Sequence, residues 1–186
     1  MPIEPVNRAD QVVVEIGCGP AGARRTDLSE SAFGVDIDLL ALQTPSVGPS
    51  RRRSLCADAL ALPLRSSTCD LLVLQAVLHH LAPTDHAMRE LTRVLRPNGR
   101  LHVTDGVALA PDEADVLDSE LHAAGLPSEP IYGFDLDELA AVATEAGLEV
   151  VDVQSSGRLT LATPPYVSRT YSTERFTLIA QRTATG

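Results

Sequence analysis

Lysine and tryptophan are both missing from this chain of 186 residues, and only 3% of its residues are aromatic. Without lysine there is no Schiff base, no lysine general base and no P-loop lysine, which excludes several classes of enzyme. The scarcity of aromatic side chains argues against a large pocket that binds its ligand by ring stacking. Because the net charge of −10 repels phosphate backbones, we expect no nucleic-acid partner.

Cysteines are few, and long apolar runs are missing. Cys18, Cys56 and Cys69 are far apart and lie in or beside short apolar runs, which predicts buried free thiols rather than disulfides. The histidines offer no pair at i and i+4, so we expect no metal. No apolar run has the length of a membrane span or the position of a signal peptide. We therefore expect no membrane partner and a cytoplasmic protein.

The remaining composition is that of a globular protein, and it predicts a single domain over residues 1–186. Apolar runs alternate with helical stretches, which is typical of an α/β fold with a largely parallel sheet. We expect a doubly wound sheet of seven strands, with helices on both faces and the last strand antiparallel. The predicted strands are residues 12–16, 34–36, 53–56, 70–74, 101–104, 149–153 and 176–181.

Helices are predicted between these strands, at residues 84–95, 112–124 and 135–146, because apolar residues recur there at helical spacing. Residues 21–31 hold a single large apolar residue and show no helical face, so they predict a short or irregular connection. The polar, proline-bearing segment 155–174 predicts a lid or a long hairpin.

The most informative segment is VVVEIGCGPAG at residues 12–22, where a run of β-branched residues breaks into G-x-G-x-x-G. This order predicts a buried strand that leads into a glycine turn under a nucleotide-like ligand. Glycines allow the backbone to approach such a ligand closely, because a Cβ would block it.

Further motifs follow the glycine turn in a fixed order: GVDID at 34–38, ADALALP at 57–63, CDLLVLQAVLHHL at 69–81 and RVLRPNGRLHVTDG at 93–106. Over roughly residues 12–153, this series resembles the class I, Rossmann-like S-adenosylmethionine-dependent methyltransferases, in the small-molecule, type 11-like branch. The resemblance implies S-adenosyl-L-methionine as the cofactor. The residues that it implies at the cofactor are Glu15, Gly17, Cys18, Gly19, Asp36, Ile37, Asp58, Ala59, Gln75 and Ala76.

Each implied contact has a plainer alternative. Asp36 lies where an acid accepts hydrogen bonds from both ribose hydroxyls, but a helix N-cap would also use an acid, a role that Asp38 could equally fill. By the resemblance, Asp58 accepts from the adenine amino group while the Ala59 amide reaches a ring nitrogen; the alternative for Asp58 is a plain turn residue. Gln75 follows the fourth strand and is implied near the transferred methyl group.

The adjacent histidines His79 and His80 are the candidate catalytic residues. They cannot share one face of a helix, so we expect only one of them to face the pocket. His80 lies where related methyltransferases keep a histidine, and it is our first candidate to orient a nucleophile or take its proton. His79 is the second candidate, and a histidine satisfied within the fold is the alternative for either.

The resemblance implies methyl transfer to a small-molecule acceptor, such as a specialised metabolite, at oxygen, nitrogen or carbon. Fold does not fix function, so two alternatives remain open: a structural partner of an active enzyme, or a pocket repurposed for cyclisation or rearrangement. A nicotinamide dehydrogenase shares the glycine pattern, but the later motifs do not match it. Because few residues precede the first strand, we expect an open pocket, or one covered by a homodimer mate or a partner protein.

Overall fold

The computed structural model describes residues 11–19, 32–44, 53–126 and 133–184. Its centre is a sheet of seven strands in the order β3-β2-β1-β4-β5-β7-β6. The strands are β1 (Val13–Ile16), β2 (Phe33–Asp36), β3 (Arg53–Cys56), β4 (Cys69–Gln75), β5 (Leu95–Gly106), β6 (Leu148–Ala162) and β7 (Tyr171–Arg182). β7 is antiparallel to both of its neighbours, and the other pairs are parallel. The predicted α/β fold with an antiparallel last strand is confirmed.

Strand order places a crevice between β1 and β4. The chain passes from β1 outward through β2 and β3, then returns to build β4 on the other side of β1. In open α/β sheets, ligands bind beyond the carboxyl ends of the strands at such a reversal of order. All four residues of β1 are buried, because neighbouring strands flank it on both sides.

Within the described ranges, four α-helices accompany the sheet: α1 (Leu39–Gln43), α2 (Thr84–Val94), α3 (Pro111–Ala123) and α4 (Leu136–Glu145). The last three begin and end within one residue of their predicted bounds. Asp135 fixes the start of α4, because its carboxylate accepts hydrogen bonds from the Asp137 and Glu138 amides at 2.9 and 3.0 Å. The predicted connection over residues 21–31 lies outside the described residues.

The main core lies between the sheet and helices α2 and α4. Met88 and Leu91 of α2 and Leu139 of α4 are buried there against the apolar side chains of β4, β5 and β7. A smaller apolar cluster occupies the other face of the sheet, at Val13, Ala32, Leu71 and Val73. Burial of these side chains is the main favourable contribution to folding.

The segment 155–174 is largely a β-hairpin, because β6 runs on to Ala162 and β7 begins at Tyr171. Both strands continue past the carboxyl end of β5, where Gly106 pairs with Arg175. A separate apolar cluster packs the end of this hairpin on α3, through Leu117 and Leu121 of the helix against Val167 and Tyr171. The hairpin therefore extends beyond the carboxyl end of β5 and rests on α3.

Cysteine burial departs from prediction at one position. Cys18 and Cys69 are buried free thiols, as expected, but Cys56 is exposed. The prediction was wrong there because β3 is an edge strand, all of whose residues are exposed. None of the helices in the described ranges has the length and apolarity to cross a membrane. No group of three potential metal ligands occurs among the described side chains.

Candidate active site

The glycine turn closes over the end of β2. Both Gly17 and Gly19 adopt the left-handed conformation, with φ of 66° and 61°. The Gly17 and Cys18 amides donate to the Val35 carbonyl oxygen at 2.7 and 3.2 Å, which ties the turn to the neighbouring strand. A Cβ at Gly17 would collide with the Val77 side chain, which follows β4. Glycine is required at this position for both its backbone angle and its contact with Val77.

Asp36 joins the glycine turn at the carboxyl end of β2. Its Oδ2 accepts a hydrogen bond from the Gly19 amide at 2.7 Å, and its Oδ1 accepts one from the Asp38 amide at 2.9 Å. Each carboxylate oxygen can accept a further hydrogen bond. Asp38, not Asp36, caps α1, because its Oδ1 accepts from the Leu40 and Ala41 amides.

Asp58 lies at the neighbouring strand end, after β3. The Ala57 amide donates to the Asp36 carbonyl oxygen at 2.9 Å, so the two acids are at adjacent strand ends. Asp58 does form a turn, because its Oδ1 accepts a hydrogen bond from the Leu60 amide at 2.8 Å. Ile37, next to Asp36, is 71% exposed and offers an apolar surface there, whereas Ala59 is buried.

A cavity of about 230 Å³ lies beyond the ends of β4 and β5. Gln75 and Ala76 line one side of it, and Thr104 and Asp105 line another. Ala76 has a φ of 52°, unusual for a residue with a Cβ, and its amide donates to the Thr104 carbonyl oxygen at 2.7 Å. That hydrogen bond holds the ends of β4 and β5 together at the cavity.

His79 is held by a buried carboxylate. Its Nδ1 lies 2.8 Å from Oδ1 of Asp105, and its backbone amide donates to Oδ2 of Asp105 at 3.3 Å. The Asp105 side chain is only 1% exposed, and its Oδ1 also accepts from the Gly106 amide at 2.8 Å. A carboxylate at Nδ1 favours the tautomer with the proton on that nitrogen, which makes Nε2 the basic nitrogen.

His80 has a different environment. It is exposed, and its ring centroid lies 4.0 Å from that of His79. Both histidines belong to one 3₁₀ turn, Leu78–His80, but the carboxylate partner belongs to His79. Sequence reasoning favoured His80 and missed Asp105, which is 26 residues away. One signal could have found it, because Asp105 is the acid at the carboxyl end of β5, where site residues of parallel sheets occur.

Comparison with known proteins finds a family that this chain resembles. Residues 14–103 match the family described as methyltransferase domain, in its type 11 group. Over this segment, just under half of its length, the chain is similar to the class I methyltransferases. Among solved structures, the YcgJ protein of Bacillus subtilis has the same fold, with a TM-score of 0.72 and 18% identity over 98% of this chain and 95% of that one.

Two curated relatives match about half of this chain. It is 34% identical over 93 residues to 27-O-demethylrifamycin SV methyltransferase of Amycolatopsis mediterranei, over 50% of this chain and 34% of that protein. It is 32% identical over 92 residues to the tRNA (carboxymethyluridine(34)-5-O)-methyltransferase ALKBH8 of Mus musculus, over 48% of this chain and 14% of that protein. The chain thus spans about a third of the first relative's length and a seventh of the second's.

S-adenosyl-L-methionine is the cofactor of class I methyltransferases, and the residues present fit it. Ribose hydroxyls are donors, and the two Asp36 oxygens each retain the capacity to accept one more hydrogen bond. The exposed side chain of Ile37 offers an apolar surface for a purine ring next to that carboxylate.

Proposed function

We propose that this chain transfers a methyl group from S-adenosylmethionine to a small-molecule acceptor, such as a specialised metabolite. The observation that carries the proposal is the contact between Gly19 and Asp36, which brings the glycine turn and the acid of β2 together at adjacent strand ends. The same edge of the sheet bears the cavity at β4 and β5. A donor pocket and an acceptor pocket are then neighbours.

Each part of the cofactor has a proposed partner in the first half of the sheet. Asp36 accepts from the ribose hydroxyls, and Ile37 covers one face of the adenine. Asp58 accepts from the adenine amino group through its second oxygen, with the Ala59 amide directed to a ring nitrogen. The backbone from Glu15 to Gly19, including Gly17 and Cys18, cradles the methionine part, and Gln75 and Ala76 lie near the methyl group.

Catalysis in this proposal relies mainly on placement. Bound S-adenosylmethionine supplies an electrophilic methyl group on its sulfonium, so the chain must hold the acceptor atom in line with it. His79 accepts the proton of an acceptor hydroxyl or amine at Nε2, and Asp105 stabilises the imidazolium that results. Asp105 lines the cavity and His79 bonds to it, which supports placing this pair beside the proposed acceptor pocket.

The size of the cavity and the charge of the chain favour a small acceptor over RNA. At about 230 Å³ the cavity is smaller than most sites for small molecules, which are about 300–1,000 Å³. A chain with a net charge of −10 and no lysine attracts no phosphate backbone. The named substrate of the Amycolatopsis relative, a rifamycin, belongs to the class that we propose.

Calorimetric titration with S-adenosylmethionine and S-adenosylhomocysteine tests the proposal. We expect binding of both ligands at micromolar affinity, and loss of binding in Asp36→Ala. Asp38→Ala is the matched control, because it removes the cap of α1 and leaves the Asp36 carboxylate in place. Wild-type affinity in Asp36→Ala would remove Asp36 from the site. Absence of binding by the wild type would instead favour a structural partner or a repurposed pocket.

The acceptor class is tested by labelling. With S-adenosylmethionine labelled in its methyl group, the enzyme is incubated with a metabolite extract and separately with purified tRNA. We expect label in the metabolite fraction alone. Label in tRNA alone would overturn the small-molecule part of the proposal and leave methyl transfer standing.

A further inference from the structure

Arg175 is the charged residue that the hairpin brings to the cavity. It lies on β7, where it pairs with Gly106 of β5, and it lines the cavity together with Leu159 of β6. Because Gly106 has no side chain, β5 places no side chain over the aliphatic part of Arg175 at that position. Arg175 is half-buried, so its guanidinium is partly removed from bulk water.

A bulge in β6 holds this guanidinium. The register of β6 against β7 shifts between Ser155 and Arg158, and Gly157 within the shift has a φ of 101°. The Ser156 carbonyl oxygen thereby accepts from Nε of Arg175 at 3.0 Å and from its Nη2 at 2.5 Å. In return, the Ser156 hydroxyl donates to the Arg175 carbonyl oxygen at 3.2 Å. Bulges re-aim side chains next to functional sites in this way.

Arg175 has no carboxylate partner among the residues that the structure describes. Other described arginines do form ion pairs: Arg89, Arg93, Arg96 and Arg169. The Ser156 carbonyl satisfies one edge of the Arg175 guanidinium and leaves N–H donors of its Nη nitrogens for a further acceptor. Asp105, the acidic residue that lines the cavity, already forms hydrogen bonds with His79 and with the Gly106 amide.

We infer that Arg175 binds a carboxylate of the acceptor and so selects acidic small molecules. Guanidinium groups bind planar carboxylates through paired hydrogen bonds, which fix orientation as well as position. This inference rests on the proposed function, because it treats the cavity as the acceptor pocket. Arg175 then anchors one end of the acceptor and His79 receives the proton at the other.

Binding of two matched probes tests this inference. The probes are 4-hydroxybenzoate and its neutral analogue 4-hydroxybenzamide, each titrated by NMR with and without saturating S-adenosylhomocysteine. We expect the wild type to prefer the carboxylate by about tenfold or more. Arg175→Met should remove this preference, and Arg175→Lys, which keeps the charge and loses the paired geometry, should retain part of it. Arg158→Met is the matched control, since Arg158 lies on the adjacent strand, is exposed and bonds Ser172.

Equal affinity for the two probes would overturn the inference, as would failure of 4-hydroxybenzoate to bind at millimolar concentration, or a preference that survives in Arg175→Met. The melting temperature of each variant shows whether the hairpin still folds. Affinity for S-adenosylhomocysteine, measured in the same samples, reports the proposed function separately. Loss of cofactor binding with a retained carboxylate preference would reject methyl transfer and leave the anion site.

Discussion

The two halves of the sheet are built differently around the crevice between β1 and β4. On one side, β1, β2 and β3 have four residues each, and the site residues lie in the short segments that follow them. On the other side, β5, β6 and β7 have 12, 15 and 12 residues, and their side chains meet across strands. In the proposed function, the first half holds the cofactor and the second half, with its hairpin, contacts the acceptor.

Gly17 connects the halves, and its substitution should have the largest effect on stability. In Gly17→Ala, the new Cβ would meet Val77 and the residue would keep a left-handed φ. We expect the free energy of unfolding to fall by about 2–4 kcal/mol, since overpacking and backbone strain add. Urea denaturation of the variant and the wild type measures this difference in the free energy of unfolding.

A second variant separates the two causes. Val77→Ala removes the two methyl groups that the new Cβ would meet, so adding Gly17→Ala to Val77→Ala should cost less stability than Gly17→Ala costs in the wild type. If the urea midpoint of unfolding is the same for Gly17→Ala as for the wild type, the two halves are not coupled at this contact.

Asp105 belongs to the second half, and its substitution should affect acceptor chemistry while sparing the cofactor. Asp105→Asn removes the carboxylate from His79 Nδ1, so we expect kcat to fall by about 100-fold or more with an unchanged affinity for S-adenosylhomocysteine. His80→Ala is the matched control, with kcat expected within about threefold of wild type. Nitrogen NMR of the imidazole should show the His79 tautomer change in Asp105→Asn. A kcat loss in His80→Ala as large as in Asp105→Asn would return His80 to the catalytic role.

This division also explains what could be predicted from the sequence. Gly17, Gly19 and Asp36 could be proposed as cofactor residues because the first half places its residues in a short, ordered motif, and the structure brings Gly19 and Asp36 into contact. The order of secondary structure elements likewise follows from the alternating apolar runs. By contrast, the choice between His79 and His80 depends on Asp105, whose carboxylate approaches only when β4 and β5 pair. Arg175 carries no motif, because its position depends on the bulge in β6.

Glu90 forms another contact between the two halves, and its contribution to the free energy of unfolding should depend on pH. Its Oε1 accepts from the Leu62 amide at 2.7 Å, and its carboxylate pairs with Arg93 on the same helix. The hydrogen bond from Arg93 lowers the pKa of Glu90 below its ordinary value, and the Leu62 amide adds to this. A carboxylate with a lowered folded-state pKa contributes stability above its unfolded pKa, near ~4.3, and loses it as pH falls through the folded value.

We therefore expect Glu90→Gln to lower the free energy of unfolding by about 1–2 kcal/mol at pH 7. The difference from wild type should shrink as pH falls below about 4. Urea denaturation of both proteins between pH 3 and pH 7, at one ionic strength, measures it. A difference that stays constant across this range would show that the charge of Glu90 contributes nothing, and that the lost packing accounts for the effect.

The smallest expected effect is a difference in thiol reactivity between the two halves, each of which carries a buried cysteine. Cys56 is exposed and should be alkylated first, whereas burial raises the pKa of the Cys69 thiol and so reduces its reactive thiolate. Cys18 lies buried in the glycine turn, and Cys69 lies buried at the start of β4. In Cys56→Ser, mass spectrometry after alkylation in low urea can compare these two directly.

We expect Cys18 to react before Cys69, because the glycine turn closes only short strands while Cys69 belongs to the main core. Equal rates at every urea concentration would show that both halves open together, as one cooperative unit. Faster reaction of Cys69 would reverse the comparison and place the more stable structure around the cofactor half.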